Sequence, residues 1–408
     1  MSDALRIAIR AFEPFERSIR KQYADFQAVT GCPLRLEPEQ LELNPLVDTL
    51  FTQQGLKDGT WDIAFIVTDW IADAVECGTL VDLAPFMQKD PIPDYPDGWS
   101  PALTRYQQFG DAIYGIPYHD GPECFTYRRD LFEDPAEQAA FAAEHDYPLA
   151  VPRTWREFEE IARFFTRPDQ NLYGTIFAAY PDGHNTVYDF CLQLWSRGGE
   201  LTDANGVPTL DTPAAVAGLD FYRRIVNDRS VTPPHLEEID SVKSGELFAS
   251  GSVAMMVNWF GFAAVCEQPS CPMKGKVAVA SLPAGEAASS ASLNVYWLLC
   301  VGSGSRHKEE AFAFISHASS PEMDTITTLE GGIGCRLSTW RDPEVNAAIP
   351  FYHRLAELHE QTRELPRSRG LPRLVHIIDA AVQSAISGDE PTEEILRRAQ
   401  SEAAEIRL

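Results

Sequence analysis

Residues 112–132 read AIYGIPYHDGPECFTYRRDLF, a stretch in which two extended runs flank a short polar segment. An apolar run that ends in a Gly/Pro turn reaches His119 and Asp120, and a second extended run follows and ends in charged residues. The pattern predicts a strand that leaves one core, a gap lined with hydrogen-bonding groups, and a strand that enters another core. The sequence therefore predicts two lobes with a cleft between them.

Length and charge support that organisation and exclude one class of partner. A chain of 408 residues is too long for one ordinary hydrophobic core, so two lobes are expected. Its 60 acidic and 34 basic side chains give a formal net charge of −26, which repels phosphate backbones. We therefore expect no nucleic-acid partner.

The sequence has neither a membrane-spanning pattern nor a disulfide-scaffold pattern. No run of about 18 apolar residues occurs, so no transmembrane helix is predicted. No signal-peptide pattern precedes the predicted strand Leu5–Ile9. The eight cysteines are sparse, and the sequence leaves open whether Cys266 and Cys271 pair to close a small loop.

The N-terminal part alternates between strand and helix patterns. Strands at 5–9 and 33–37 enclose a helix at 15–29, and a further helix at 45–56 precedes the continuous apolar run WDIAFIV at 61–67. This alternation predicts a doubly wound α/β lobe whose ligands bind beyond the C-terminal ends of its strands. Those ends carry Phe12, Glu13, Thr68, Asp69 and Trp70.

The middle of the chain shows the same mixture of elements. Thr154 and Glu157 fit a capping box that starts a helix. The buried strand Ser252–Asn258 delivers Asn258 and Trp259 to a loop. The small-residue segment Ala284–Ser292 is the best candidate for a second crossing between lobes.

Motifs for common enzymatic chemistry are absent. The chain lacks GxGxxG after a strand, GxxxxGK[ST], GxSxG and HExxH, and its nine histidines are scattered. We therefore expect no cofactor and no metal. The sequence leaves open a carboxylate pair for glycosidase chemistry, since Glu13, Glu37, Asp69 and Asp120 are all placed where a cleft could form.

Segments spread over nearly the whole chain resemble the family 1 extracellular solute-binding proteins, the carbohydrate-binding components of ABC importers, to which maltose-binding protein is related. No single segment is specific, but together they follow the family order. They are TGCPLRLE (30–37), GTWDIAFIVTDWIADAVECGTLVDL (59–83), IYGIPY (113–118) followed by YRRDLF (127–132), PRTWREFEEIA (152–162), SGELFASGSVAMMVNW (244–259) and GKVAVASLP (275–283).

The resemblance implies a two-lobe periplasmic-binding-protein fold of type II, in which each lobe is a mixed α/β sandwich and the ligand lies in the cleft between the lobes. Lobe A would comprise 1–118 and 290–320, and lobe B would comprise 122–286 and 321–408. The chain would cross between the lobes near 119–123, 284–290 and 319–322.

The same resemblance implies a set of ligand-binding residues. Asp69 resembles the family carboxylate that accepts two sugar hydroxyls, although a role as helix N-cap for 70–77 fits the sequence equally well. Trp259 is expected to stack on the sugar because it follows a strand end. The full expected set is Phe12, Glu13, Asp69, Trp70, His119, Asp120, Tyr180, His184, Asn258, Trp259, Asn294, Tyr296 and Arg336.

The implied function is binding without catalysis. The resemblance indicates a monomeric, periplasmic or surface-associated protein that closes on a carbohydrate or polyol and delivers it to a membrane ABC permease. Two alternatives stay open at this point: a carboxylate-dependent hydrolase or lyase that acts on a saccharide, and a binder of a phosphorylated or sulfonated sugar that uses Arg336 or Arg10.

Overall fold

The computed structural model describes residues 4–285 and 288–408. Its strands are β1 (Ala4–Arg10), β2 (Arg35–Leu41), β3 (Ile63–Val67), β4 (Gln108–Phe109), β5 (Ala112–Ile113), β6 (Ile116–His119), β7 (Glu123–Arg128), β8 (Tyr173–Ile176), β9 (Val253–Trp259), β10 (Val277–Ala280), β11 (Ser292–Leu293), β12 (Trp297–Val301) and β13 (Thr362–Arg363).

Its α-helices are α1 (Glu13–Thr30), α2 (Leu43–Val47), α3 (Ile71–Glu76), α4 (Ala84–Lys89), α5 (Arg129–Phe132), α6 (Pro135–Glu144), α7 (Trp155–Phe165), α8 (Asn185–Trp195), α9 (Pro213–Asn227), α10 (Ser241–Ala249), α11 (Phe260–Val265), α12 (Lys308–Ala318), α13 (Pro321–Leu329), α14 (Leu337–Arg341), α15 (Pro343–Ala348), α16 (Leu355–His359), α17 (Leu371–Ser387) and α18 (Thr392–Ala403).

The first compact unit contains the chain up to Gly121 together with Val295–Ala356. Its five-stranded sheet has the order β2-β1-β3-β12-β6. Strands β2, β1 and β3 are parallel, and β12 runs antiparallel between β3 and β6. Every residue of β3 is buried, as expected for a strand covered on both faces.

The second compact unit contains Pro122–Asn294 and Glu357–Leu408. Its four-stranded sheet has the order β10-β7-β9-β8, in which β8 is parallel to β9 and β7 is antiparallel to both β9 and β10. Helix α8 is buried along its entire length, which fits its apolar sequence. The alternation of helices and strands in both units confirms the predicted α/β class.

The predicted helix start at Thr154 is confirmed, with one difference in the capping box. The Thr154 hydroxyl accepts a hydrogen bond from the Glu157 N–H at 3.1 Å. The Glu157 carboxylate accepts from the N–H of Arg153 at 2.7 Å, one residue before the capping residue itself. Both side chains therefore satisfy backbone donors at the start of α7.

The chain passes between the units at 121–122, 294–295 and 356–357. The second passage thus lies a few residues after the expected 284–290, and the third differs from the expected 319–322. Segment 321–356 belongs to the first unit because it is bonded to α1. The Gln22 side chain donates to the Met323 carbonyl and the Thr327 hydroxyl, both at 2.8 Å. Glu330 pairs with Arg17 at 3.2 Å and also with Lys21. These bonds join residues far apart in the chain.

All eight cysteines are free thiols, including Cys266 and Cys271, whose pairing the sequence left open. Within residues 4–285 and 288–408, no helix combines the length and apolar character that a membrane span requires.

Candidate functional site

The first cluster of predicted site residues lies at one edge of the first unit's sheet, which we call the first-unit edge. Strands β1, β3 and β6 end at this edge, and the antiparallel strand β12 begins there, with Trp297 opposite both Val67 and His119. The carboxyl ends of parallel strands are where open α/β sheets bind their ligands. The predicted residues at this edge are Phe12, Asp69, Trp70, His119 and Asp120.

Aromatic rings form a row along the first-unit edge. His119 packs edge-on against Phe15 with ring centroids 4.7 Å apart, and Phe15 contacts Phe12 in the same way at 5.0 Å. At the other end of the row, Trp70 packs edge-on against Trp297 at 5.8 Å. The rings give this edge apolar surface between its polar groups.

His119 supplies a neutral imidazole to this edge. Its Nδ1 accepts a hydrogen bond from the Ile333 N–H at 2.8 Å. Burial lowers the pKa of His119 to about 4, although the neighbouring Asp120 charge acts in the opposite direction. At neutral pH the ring proton therefore lies on Nε2, where it can be donated.

The three acidic residues near this edge, Asp120, Asp69 and Glu13, lie in different environments. Asp120 is buried, and its N–H donates to the Ile333 carbonyl at 3.0 Å. Asp69 lies in the short 3₁₀-helix Thr68–Trp70, directly ahead of α3, which starts at Ile71. Glu13 is exposed and pairs with Arg17 at 2.8 Å in the first turn of α1.

The second cluster lies at one edge of the second unit's sheet, which we call the second-unit edge. Trp259 ends β9 opposite Glu123, the first residue of β7. The parallel strand β8 ends on the same side and leads into the loop that carries Tyr180 and His184. Tyr180 is 44% exposed, the most open of the predicted aromatic residues in this unit.

Trp259 belongs to a pair of perpendicular rings at this edge. It packs edge-on against Tyr188 with centroids 5.7 Å apart, and its Nε1 donates to Asn185 Oδ1 at 3.4 Å. His184 Nδ1 and the Tyr188 hydroxyl are 2.7 Å apart. Sequence analysis missed Asn185 and Tyr188, although the four-residue step from His184 to Tyr188 places both on one helix face.

The Asn258 side chain links β9 to α10. Its Nδ2 donates to the Ser241 carbonyl at 2.9 Å and to the Ser244 hydroxyl at 2.7 Å, both on α10. Its Oδ1 accepts from the Trp259 N–H at 2.8 Å. Side chains alternate along a strand, so Asn258 faces α10 while Trp259 faces α8.

Tyr296 and Asn294 are also buried. The Tyr296 hydroxyl donates to Gln107 Oε1 at 2.8 Å inside the first unit. The neighbouring Trp297, which sequence analysis missed, reaches the edge instead, and the alternation of side chains in a strand could have indicated it. Asn294 follows β11, and its N–H donates to the Arg363 carbonyl at 2.8 Å.

Arg336 is an interior cation of the first unit and is only 2% exposed. Its guanidinium donates to the Ser319 carbonyl at 2.9 Å and to the Asp94 carboxylate at 3.1 Å, and it lies 4.3 Å from the centre of the Trp99 ring. These contacts give Arg336 a structural role in place of the expected contact with ligand.

Two acidic side chains are buried behind Trp259. Glu123 of β7 is 3% exposed and Asp189 of α8 is 4% exposed. Burial raises the pKa of both carboxyls well above the usual range, and the Asp189 charge raises that of Glu123 further. Sequence analysis did not indicate these two buried acids, because one lies on a strand and the other on a helix about 65 positions later in the chain.

Neither cluster coincides with a metal-binding group of side chains or with the cavity at the C-terminal end of α8. Within the described part of the chain, no group of three or more His, Cys, Asp or Glu side chains is arranged to hold a metal ion. A cavity of 690 Å³ in the second unit lies at the C-terminal end of α8, lined by Trp195, Arg197 and Arg363 among others. It contains none of the predicted site residues.

Comparison with known proteins identifies the family. Residues 15–325 match the model of the bacterial extracellular solute-binding protein family, and the chain belongs to that family. A probable amino-acid ABC transporter periplasmic-binding protein of Sinorhizobium fredii is 24% identical over 333 residues, which are 80% of this chain and 71% of that protein. A probable ABC transporter-binding protein of Deinococcus radiodurans is 22% identical over 63% of this chain, and the match spans only 60% of the Deinococcus protein.

Solved structures of similar fold carry sugars or polyols. A maltose-bound MalE3 of T. maritima has a TM-score of 0.85 at 22% identity, and the match covers 98% of this chain and 99% of that chain. An ABC transporter solute-binding protein of Agrobacterium radiobacter in complex with ribitol has a TM-score of 0.84 at 25% identity, with 98% of both chains covered. A solute-binding protein of Agrobacterium vitis with bound D-mannitol reaches 0.83 at 20% identity, covering 98% of this chain and 96% of that one.

These findings confirm three predictions: the family, the two-lobe binding-protein fold, and the function as a solute-binding protein of an ABC transporter. The family description is that of an extracellular binding protein.

Proposed function

We propose that this chain binds a neutral carbohydrate or polyol without altering it, as a monomer outside the cytoplasmic membrane, and delivers it to the membrane permease of an ABC importer. Each cluster, within its own unit, offers side chains suited to such a ligand. The observation that carries the proposal is the Trp259–Tyr188 ring pair, flanked by His184 and Asn185 at strand and helix ends.

The chemistry of the clusters suits a polyhydroxylated ligand. A sugar hydroxyl both donates and accepts hydrogen bonds, so it can accept from His119 Nε2 and donate to the carboxylates of Asp69 and Asp120. The apolar C–H face of a sugar packs on aromatic rings such as that of Trp259. Related structures bound to maltose, ribitol and D-mannitol support this ligand class.

The charges of the clusters argue against an anionic sugar. The Arg336 guanidinium is buried inside the first unit, where it donates to Asp94. Arg10 pairs with Glu42 at 2.5 Å. The groups at the first-unit edge include the carboxyls of Asp69 and Asp120, which would repel a phosphate or sulfonate. A neutral ligand is not repelled by these carboxylates.

A ligand screen tests the proposal. Thermal-shift measurements with ribitol, D-mannitol, maltose, a sugar phosphate and amino acids, followed by calorimetry of each hit, should show saturable binding of a neutral sugar or polyol. Chromatography of the recovered ligand should show it unchanged. Turnover that Asp69→Asn or Asp120→Asn abolishes would establish a hydrolase or lyase instead, and binding of amino acids alone would refute the ligand class.

Replacement of Trp259 tests the ring pair itself. We expect Trp259→Ala to weaken ligand affinity by at least about tenfold, since a stacked aromatic ring is a frequent source of binding energy. Tyr173→Ala is the matched control, because Tyr173 starts β8 and lies at the opposite edge of the same sheet. Calorimetry measures the ligand affinity of both variants. Equal affinities of Trp259→Ala and Tyr173→Ala would show that Trp259 does not contact the ligand.

A further inference from the structure

The guanidinium of Arg197 lies beside the 690 Å³ cavity at the C-terminal end of α8, which we call the α8 cavity. Its volume falls within the roughly 300–1,000 Å³ typical of small-molecule sites, and its lining residues belong to the second unit. Arg197 also lines two neighbouring cavities, of 310 and 880 Å³. Open space therefore lies on several sides of this side chain, and a small molecule can reach it.

Contacts with α8 and α9 hold the Arg197 guanidinium in place. Its Nη1 donates to the Gln193 carbonyl at 3.0 Å and to Gln193 Oε1 at 2.5 Å. Its central carbon lies 5.2 Å from the centre of the Phe221 ring. The N–H groups of Nε and Nη2 make no hydrogen bond to the residues that the structure describes. These two nitrogens form one edge of the guanidinium, so two side-by-side donors stay open.

The same edge of two other arginines of this unit holds a carboxylate. Arg128 donates from Nε and Nη2 to the two oxygens of Asp130, both at 2.7 Å. Arg224 binds Glu159 in the same way, at 3.3 and 2.9 Å. Arg197 makes no ion pair with the described part of the chain, and burial together with the nearby Arg224 charge lowers the pKa of Arg197 to about 10. A carboxylate at the open edge would supply the missing counter-charge.

The other charged side chains described at the α8 cavity do not supply this counter-charge. Arg363 donates to Glu200 Oε1 at 2.7 Å and lies 5.5 Å from the centre of the Trp195 ring, so this pair is neutral as a whole. Glu360 is exposed, and solvent screens its charge. These two carboxylates still disfavour a ligand of high negative charge. The cavity therefore suits a monoanion.

The rest of the cavity lining is rich in hydrogen-bonding side chains. Ser289 is exposed, and Ser290, Gln361 and Thr362 also line the cavity. Ser290 Oγ and Gln361 Oε1 have no hydrogen-bond partner among the described residues. Turning either side chain towards a ligand therefore breaks no hydrogen bond within this part of the structure. Such groups bind hydroxyls, which both donate and accept.

We propose that the α8 cavity binds a hydroxycarboxylate, a small monoanionic acid that carries hydroxyl groups. Its carboxylate lies on the Nε–Nη2 edge of Arg197, and its hydroxyls bond to the serine and glutamine side chains of the lining. This site contains none of the residues of the two clusters, and the inference does not rest on the proposed function.

Calorimetry with D-gluconate tests the site, and hexanoate is the matched compound because it has the same chain length and carboxylate without hydroxyls. Wild type should bind gluconate saturably and hexanoate at least about tenfold more weakly. Arg197→Gln should weaken gluconate binding at least about tenfold, since it removes the charged donors. Arg373→Gln is the matched control, because Arg373 is exposed at the start of α17 and should leave the affinity unchanged.

A second variant keeps the test decisive if Arg197→Gln fails to fold. Gln361→Glu places a carboxylate in the cavity lining, where it repels the ligand, so gluconate affinity should again fall at least about tenfold. Unchanged affinity in either folded variant overturns the inference. Equal affinities of wild type for gluconate and hexanoate overturn the assigned ligand class.

The outcomes also separate this site from the proposed sugar site. A saturating amount of the neutral ligand from the screen should leave gluconate binding unchanged, and displacement would place gluconate at the two clusters and overturn the inference. Absence of saturable gluconate binding overturns the α8 cavity site and leaves the proposed function intact. If no sugar or polyol binds but gluconate binds in a manner that depends on Arg197, the proposed function fails and the α8 cavity site stands.

Discussion

Arg336 shows how a single residue can look functional in sequence and be structural in the fold. Its guanidinium bonds to a carbonyl and a carboxylate and stacks on Trp99 while almost fully buried. We expect Arg336→Ala to destabilise the first unit by about 3 kcal/mol, because it leaves buried acceptors without their donor and opens a cavity. Urea unfolding measures the loss.

Arg341→Ala is the control for this prediction. Arg341 is exposed at the end of α14, so its removal should change stability by no more than about 0.5 kcal/mol. If Arg336→Ala leaves stability intact but abolishes ligand binding, the structural role is wrong and the residue contacts ligand.

For individual residues, the sequence indicated well which polar residues follow strand ends. It indicated poorly which of those side chains are bonded to other parts of the fold. His119 and Asp120 were found because a polar pair interrupts two apolar runs, and the structure places them at the first-unit edge. Asn258 was expected beside the ligand, yet its amide is bonded to α10. Such bonds join residues that are distant in the chain, so no local pattern reports them.

The contact between α1 and the end of α13 rests on Glu330. Burial alone would raise the pKa of this carboxyl, but hydrogen bonds and charges from Lys21 and Arg17 outweigh it and lower the pKa. A carboxylate with a lowered folded pKa contributes stability above its unfolded pKa and loses it as the pH falls. We expect Glu330→Gln to cost about 1 kcal/mol near neutral pH and nothing near pH 2.

Chemical denaturation of wild type and variant across this pH range provides the measurement. Glu39→Gln serves as control, since Glu39 is exposed on β2 and should show no such pH-dependent difference. A cost for Glu330→Gln that persists in acid would mean that its charge is not responsible.

Helices and strands whose apolar residues recur at a regular spacing were predicted. The local irregularity in the helix predicted at 45–56 was not. Residues 45–56 were expected to form one helix, but α2 ends at Val47 and a π-helix, Asp48–Thr52, follows. The Thr49 carbonyl accepts from the Gly55 N–H at 3.0 Å, and the Thr49 hydroxyl accepts from Trp61 Nε1 at 3.0 Å. The backbone thus turns towards Trp61 before the helix pattern ends.

At the scale of the whole molecule, each unit is built from separate chain segments. In the first unit, β12 lies between β3 and β6, and His119 is opposite Trp297. The ends at 121 and 295 therefore lie close together. We expect residues 1–121 joined to 295–356 by a short Gly/Ser linker to fold alone, because this chain restores the whole five-stranded sheet.

Circular dichroism and urea unfolding of the joined chain provide the test, and a cooperative transition is expected. Residues 1–121 alone are the control and should show no such transition, since β3 and β6 lack the strand that lies between them. Cooperative unfolding of that shorter chain would mean that β12 is dispensable.

The position of β12 also has a consequence during synthesis on the ribosome. The nascent chain produces β3 and β6 early, but the strand that pairs with both emerges only after β7–β11 have been made. Until then the buried apolar strand β3 has an open, unpaired side, a state that favours association with other chains. The order of translation therefore creates a period in which an apolar strand of this protein is open to association with other chains.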